Sequence, residues 1–380
     1  MALEIWRMGY EKVTEWLVLP IRFAEEPCKL PDDVIGIQKV GTLNFQSEYT
    51  YILANDPLMQ SAIRLDLTPH LPQVVGGLSK EVARTVPENI IAIVSGYVFI
   101  GPELCRHPKF LDATKCFTRN AFGAAGELFP YKCIGSSITN FILKASLKQW
   151  PEILRWSAAR FADARVVELR KQRANLIEFL TPYAPKFKMD TNAELTNVQA
   201  VLSIVAIETT TLATHFIFDC VAHCPEIIPK LRQEVRSVLE EDRGVYTAKA
   251  LAQMKLIDLV VKESLRLLPK GVFVTTGLVN VVADETYYPE ANSFNPYRFM
   301  DLRSGKTEDP LQYQNKELIS VTKENMSLGF GRPSCPGRFF ASNEIKVVMA
   351  ELLTNYDVRL PDGVTERYKN IVNGDIARLY

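Results

Sequence analysis

The stretch between Pro185 and Pro225 constrains the fold more than any other part of the sequence, because its 39 residues contain neither glycine nor proline. Apolar residues recur in it at three- and four-residue spacing, which is typical of a helix with one face against a core. They are Leu195, Val198, Leu202, Val205, Leu212 and Phe216. A helix of about 30 residues is about 45 Å long. The sequence therefore predicts one long helix that crosses an entire domain.

Helical patterns continue on the C-terminal side of this segment. Two further helices are predicted, one opened by Pro225 and one closed by Pro269, and a last helix begins at Pro336. Between Pro269 and Pro296, β-branched residues predict one or two short strands. No linker rich in glycine, proline or serine divides the chain. We therefore expect a single, mainly α domain over residues 1–380, with a long central helix and a small β region.

Composition and charge exclude several classes of protein. The 380 residues include 44 Lys and Arg against 44 Asp and Glu, and 47% are hydrophobic. This composition excludes a disordered chain, and the zero net charge argues against a nucleic-acid binder driven by bulk charge. Seven scattered cysteines favour reduced thiols in an intracellular compartment. The first 20 residues resemble neither a signal peptide nor a membrane anchor.

The most informative motif is the stretch MSLGFGRPSCPGRFFASNEIK. Gly329 and Gly331 remove side chains just before Cys335, which lets a large flat ligand approach the backbone. Pro336 and Gly337 suit the first turn of a helix, so Cys335 is expected at or next to the N-cap, where N–H groups stabilise a thiolate. A single thiolate in this setting suits an axial ligand of haem iron. A buried cysteine at the entry to a helix is the alternative interpretation.

These residues resemble the signature F-x-x-G-x-x-x-C-x-G of the cytochrome P450 haem-thiolate monooxygenases, in particular the fungal members of secondary metabolism. Gly331, Cys335 and Gly337 match the signature, and Leu328 replaces its phenylalanine. The resemblance runs over nearly the whole chain. It implies the cytochrome P450 fold, mainly α with a small β region. It also implies haem b as cofactor, with Cys335 as the iron ligand and Gly329, Gly331 and Gly337 beside it.

The resemblance also implies which cations meet the haem propionates. Pro333 stands where the family usually has a basic residue, and the neighbouring Arg332 is the expected substitute. Arg64 matches the basic residue of a family helix that reaches the other propionate. We therefore expect Arg64 and Arg332 to bind the cofactor.

A second motif is KESLRLLP, in which Glu263 and Arg266 share one helix face. Read alone, this spacing is typical of a solvated surface pair. The later stretch SFNPYRFMD supplies the matching family motif with Arg298. The resemblance implies a buried network of Glu263, Arg266 and Arg298, with a structural role.

A third motif, VAIETTT, interrupts the apolar pattern of the long helix. An exposed polar turn is one interpretation of it. By resemblance, Thr209 is the residue that holds water and hydrogen-bonds the dioxygen bound by the haem. Glu208 is then the residue that helps to deliver protons.

The resemblance finally implies an NADPH–cytochrome P450 reductase as electron donor, an apolar terpenoid-like substrate, and a place on the endoplasmic reticulum membrane. From the first 20 residues we expect no N-terminal membrane anchor of the kind usual in the family. The chain also runs from KESLRLLP almost directly into KGVFVTT, where relatives have strands beside the substrate and haem. Two alternatives therefore stay open. One is a truncated, catalytically inactive relative, and the other is a helical binding module without haem.

Overall fold

The computed structural model describes part of the chain, and everything below concerns that part. The described residues are 6–10, 14–18, 25–31, 56–85, 89–112, 176–187, 192–268, 282, 284–303, 317–332, 334–364, 371–373 and 376–378. Eleven helices in them carry the labels used below. They are α1 (Glu25–Lys29), α2 (Asp56–Ala62), α3 (Leu71–Ala83), α4 (Ile90–Phe99), α5 (Leu176–Leu180), α6 (Asn192–Ala222), α7 (Ile228–Glu241), α8 (Ala248–Gln253), α9 (Lys255–Leu267), α10 (Arg298–Arg303) and α11 (Arg338–Asn355).

Three short helical turns of other kinds extend these elements. A π-turn, Ile63–Leu67, continues α2, and 3-10 turns at Thr181–Phe187 and Pro225–Ile227 follow α5 and α6. The described strands form two antiparallel hairpins. Strand β1 (Trp6–Tyr10) pairs with β2 (Thr14–Val18), and β3 (Ile371–Asn373) pairs with β4 (Ile376–Arg378). The strands predicted after Pro269 lie outside the described residues.

The long helix predicted from the sequence is α6, which spans 31 residues. It packs against α4, α9 and α11, and α11 packs in turn against α3 and α7. The core therefore lies around α6 and α11. By length and composition alone, the stretch Val201–Ala222 of α6 could cross a membrane. Its packing against three helices identifies it as a core helix of this fold.

The apolar stripe predicted for α6 is correct only in part. Val198, Leu202 and Phe216 are buried, as expected. Leu212 is half-buried, and the side chain of Leu195 lies outside the described residues. Val205 is exposed, so the prediction that it faces the core is wrong. The reason is that α6 has neighbours on several sides, and an even spread of apolar residues does not distinguish its covered faces from its open face.

Two helix boundaries also differ from the prediction. The helix predicted up to Pro269 is broken at Met254 into α8 and α9, where Glu234 of α7 accepts hydrogen bonds from the N–H groups of Leu256 and Ile257 at 2.6 and 3.0 Å. A carboxylate thus caps the new N-terminus. The last helix begins at Arg338 with Gly337 as N-cap, two residues later than Pro336 suggests.

Candidate haem-thiolate site

The loop before α11 is shaped by two glycines with left-handed backbone. Gly329 has a φ of +80° and Gly331 a φ of +65°, values that residues with a Cβ rarely adopt. The turn is closed by the N–H of Cys335, which donates to the carbonyl of Leu328 at 2.8 Å. Leu328 itself is half-buried against the core. The loop therefore returns on itself and presents Cys335 just before the helix.

Cys335 differs from the other cysteines that the structure describes. It is exposed as a residue, whereas Cys105, Cys220 and Cys224 are buried. Burial raises the pKa of the Cys105 and Cys224 thiols to about 12, which leaves them inert at neutral pH. Among the described cysteines, Cys335 alone combines exposure with the start of a helix.

Opposing influences act on the Cys335 thiol. Cys335 is exposed as a residue, but protein atoms surround most of its sulfur, and this burial raises the pKa of the thiol. Hydrogen bonds from the N–H groups of Gly337 and Arg338, with the positive charge of Arg338, act in the opposite direction. A Cβ added at Gly337 would lie 4.0 Å from the sulfur, so the glycine keeps that side of the sulfur free of a side chain.

Arg64 and Arg332 lie beside this loop. Arg64 belongs to the π-turn after α2, and its Nη2 donates to the carbonyl of Arg332 at 3.1 Å. The Nε of Arg332 donates to the carbonyl of Cys28 in α1 at 3.3 Å. Both arginines are exposed. The structure thus brings two cations, 268 residues apart in sequence, to the edge of the cysteine loop.

Glu263, Arg266 and Arg298 meet in the protein interior, where all three are buried. Arg266 donates through Nε and Nη2 to the two oxygens of Glu263 at 2.8 and 2.9 Å, and the Nε of Arg298 donates to Glu263 Oε1 at 2.9 Å. The remaining guanidinium N–H groups donate to backbone carbonyls, those of Pro289, Glu290, Ala291 and Ser293 among them. The network therefore ties the 289–298 segment to α9.

The polar turn of α6 lies on its exposed face. Glu208 and Thr209 are exposed, together with Val205 one turn earlier. The Oγ1 of Thr209 donates to the carbonyl of Val205 at 2.8 Å, so its lone pairs remain available as acceptors. Thr210 is buried instead. Because α6 contacts α11, the helix that carries Thr209 packs on the helix that follows Cys335.

Sequence reasoning did not single out the charged side chains that hold the backbone before the cysteine loop. They are Asp258, Lys262 and Arg338, and Lys346 supports them through its ion pair with Asp258. The spacing of Asp258 and Lys262, four residues apart on one helix face, is the signal that could have found those two. Sequence reasoning also passed over Glu344, a fully buried carboxyl group of α11.

The residues at the loop fit a haem. One exposed cysteine stands at a helix start, glycines leave the adjoining backbone open, and two arginines lie where carboxylates could be neutralised. Among the described residues, no group of three or more His, Cys, Asp or Glu side chains could hold a metal ion. The fold and this loop together define a haem-thiolate protein.

Comparison with known proteins gives the family. The sequence model of the cytochrome P450 family matches residues 171–271 and 267–377. The cytochrome P450 monooxygenase ascG of Acremonium egyptiacum is 28% identical over 92% of this chain and 79% of its own length. The cytochrome P450 monooxygenase bsc2 of Alternaria brassicicola is 28% identical over 94% of this chain and 77% of its own length. The cytochrome P450 monooxygenase ntnM of a Nectria species is 31% identical over 74% of this chain and 58% of its own length. The chain belongs to the cytochrome P450 family, and it is a monooxygenase with a haem-thiolate cofactor.

The comparisons also show where this chain is shorter than its relatives. The two family matches meet at residues 267–271, where the sequence analysis predicts a shortened segment. The alignment with ascG spans 426 positions, more than the 380 residues of this chain, so internal segments of that relative have no counterpart here.

Proposed function

We propose that the protein takes electrons from an NADPH-dependent reductase and oxidises an apolar secondary metabolite of the terpenoid type, and that residues 1–380 form one domain for this purpose. The observation that carries the proposal is the exposed residue Cys335, placed at the end of a glycine loop and directly before a helix. The bound haem supplies the activation of dioxygen. The protein supplies the ligand, the surroundings that exclude water, and the protons.

In this proposal Cys335 binds the haem iron through Sγ. Gly329 and Gly331 let the loop lie close to the ring, and Gly337 leaves space beside the sulfur. Arg64 and Arg332 provide positive charge at the loop edge for the two propionates. Because the loop is closed by its own backbone hydrogen bond, the thiol is held before the ligand arrives.

The exposed face of α6 supports the apolar substrate class and the proton path. The Thr209 hydroxyl donates its hydrogen bond to the Val205 carbonyl, so its oxygen can accept a hydrogen bond from water. The exposed carboxyl group of Glu208, the preceding residue, can take up a proton from solvent and in its protonated form deliver it to that water. Val205 and Leu212 flank Thr209 on this face at four- and three-residue distances, and their side chains would contact apolar substrate carbons.

The ligand assignment predicts the behaviour of one substitution. Cys335→Ser should abolish the red-shifted Soret band that a thiolate ligand gives to the reduced, carbon monoxide-bound haem, because an alcohol does not replace the thiolate. Cys220→Ala, which changes a buried core cysteine, is the control and should retain the band. A thiolate band in Cys335→Ser would refute the assignment.

The proton-delivery assignment predicts uncoupling. Thr209→Ala removes an exposed hydroxyl and little volume, so the fold should survive while more peroxide is released per NADPH consumed. Thr209→Ser retains the hydroxyl and is the matched control. Peroxide and NADPH are measured in the system reconstituted with a reductase. Equal peroxide yields in the wild type and Thr209→Ala would contradict the role.

A catalytically inactive relative is the second candidate, favoured by the interruption of the family match at residues 267–271. A wall missing beside the haem would admit water to a site that needs to exclude it. Haem content per purified chain distinguishes the candidates. A full complement of haem with the thiolate band supports the active enzyme, and a chain purified without haem supports the inactive relative.

A further inference from the structure

The 317–320 segment is held by charged side chains at every residue. Two of these side chains belong to α9. Asp258 Oδ2 accepts the N–H of Leu318 at 2.7 Å, and Lys262 Nζ donates to the carbonyls of Glu317 and Ser320 at 2.7 and 3.2 Å. Asp258 and Lys262 are buried, with exposed fractions of 5% and 3%. Such charge-assisted hydrogen bonds, withdrawn from water, fix this backbone more firmly than neutral ones.

The remaining residue of the segment, Ile319, is held from α11. Its carbonyl accepts a hydrogen bond from Arg338 Nε at 3.2 Å, while Arg338 Nη1 donates to the carbonyl of Cys335 at 2.9 Å. The guanidinium carbon also lies 4.5 Å from the centre of the Phe339 ring, which restricts the arginine side chain. One guanidinium therefore bridges the 317–320 segment and the residue that carries the thiol.

A second contact between the same two helices supports this bridge. Lys346 of α11 forms an ion pair with Asp258, the residue that holds Leu318, and it is buried as well. The helices α9 and α11 are thus joined directly by this ion pair and indirectly through the 317–320 segment. The backbone of α11 holds the Cys335 carbonyl only weakly, because the Arg338 backbone nitrogen lies 3.5 Å from that oxygen.

We propose that Arg338 is a positioning residue for the haem ligand: its guanidinium joins the Cys335 carbonyl to the 317–320 segment and so fixes where the thiol stands relative to α9 and α11. The inference rests on the proposed role of Cys335 as the ligand. The bridge needs the planar fork of arginine, because the single ammonium of lysine cannot hold both carbonyls in the same geometry. Loss of a residue that orients a metal ligand typically lowers metal affinity by about 10–100-fold.

The test uses the full chain with Arg338→Lys, Arg338→Gln and, as control, Arg359→Gln, which removes an exposed arginine beyond α11. The first readout is hydrogen exchange in the haem-free protein. The N–H of Cys335 bonded to Leu328 should exchange about tenfold faster or more in Arg338→Gln, given the usual strength of a hydrogen bond from a charged group. Arg338→Lys retains the charge, so faster exchange in it reports the lost bridge itself.

The second readout is haem affinity, measured by titration of the haem-free protein with haem. Arg338→Gln should bind haem about 10–100-fold more weakly, Arg338→Lys should lie between it and the wild type, and Arg359→Gln should match the wild type. Wild-type exchange and affinity in both Arg338 variants would overturn the proposal. If Arg338→Gln does not fold, Arg338→Lys decides, and wild-type values in that variant overturn the proposal.

The two readouts separate this inference from the proposed function. If the wild type gives no thiolate band, the proposed function fails, while hydrogen exchange in the haem-free protein still decides whether Arg338 holds the cysteine loop. If the wild type gives the band and the Arg338 variants behave like the wild type, the proposed function stands and the inference about Arg338 is wrong.

Discussion

Two glutamates, one in α9 and one in α11, are fully buried at the same 0% exposed fraction and have opposite surroundings. Glu263 faces two guanidinium groups, and both of its oxygens accept hydrogen bonds from them. Glu344 has one hydroxyl partner, Ser95 of α4, whose oxygen lies 2.6 Å from Glu344 Oε1. Glu344 Oε2 makes no hydrogen bond within the part of the chain that the structure describes.

The comparison shows how neighbours, and not burial alone, decide what a buried carboxyl group does. Burial raises the pKa of Glu344 to about 8, and the hydrogen bond from Ser95 offsets only part of that rise. Glu344 is therefore mostly a neutral acid at pH 7, which a core can hold without a counter-ion. Glu263 is surrounded by cations and serves as the centre to which a whole segment is tied. The Glu263 site is stabilised by paired charges, whereas the Glu344 site is stable because its carboxyl group is neutral.

The largest effect is expected from removing the Glu263 carboxylate. Glu263→Ala leaves two buried guanidinium groups without their counter-charge, and the free energy of unfolding should fall by about 3–5 kcal/mol. Because the network ties the 289–298 segment to α9, we expect haem-free or aggregated protein. Thermal unfolding measures the loss. Glu351→Ala, which changes a half-buried glutamate of α11, is the control, and an unchanged midpoint in Glu263→Ala would show that the network contributes nothing.

A smaller effect is expected when Glu344 is replaced by a permanently neutral side chain. Its pKa in the folded protein is about 8 against an ordinary value of 4.5, so the folded state binds more protons and stability is lost as pH rises from about 4.5 towards 8. Glu344→Gln retains the shape and removes this loss. From pH 5 to pH 7 the wild type should lose about 2–3 kcal/mol relative to Glu344→Gln, at about 1.4 kcal/mol per pH unit.

Urea unfolding of both proteins at several pH values checks this difference. Glu351→Gln is a useful control, because burial also raises the pKa of Glu351, yet that side chain is only half-buried. Parallel pH profiles for the wild type and Glu344→Gln would mean that Glu344 is ionised in the folded protein.

The surroundings of Glu263 could be predicted from the sequence, whereas those of Glu344 could not. Glu263 stands three residues before Arg266, and the later motif with Arg298 completes a set whose meeting in the core follows from the family resemblance. Glu344 has no such partner in the sequence, since Ser95 is 249 residues away and any glutamate of an exposed helix face would read the same. The long helix and the cysteine loop are local patterns, and they could be predicted.

The hydrogen bonds that charged side chains make to the backbone of residues 317–320 could not be predicted either, because they also join residues far apart in the sequence. Asp258 meets Leu318 across 60 residues, and backbone groups, which every residue carries, are what the charged side chains bind there. The apolar spacing of α6 predicts that Val205 is buried, whereas Val205 is exposed beside Thr209. Such spacing indicates which residues of a helix can be buried, but it does not show which faces other helices cover.

The smallest effect concerns Ser95, the single hydrogen-bond partner of Glu344 in the described residues. This bond lowers the pKa of Glu344, so Ser95→Ala should move that pKa further upward and extend the loss of stability to higher pH, with its onset near pH 4.5 unchanged. It should also cost about 0.5–1.5 kcal/mol at pH 5, where Glu344 is neutral in the wild type and in the variant alike. In Glu344→Gln the same substitution should leave the pH profile unchanged, because no titrating proton remains at this site. If Ser95→Ala moved the profile equally in both backgrounds, the pH dependence would belong to another group, and the contrast between the two buried glutamates would rest on Glu263 alone.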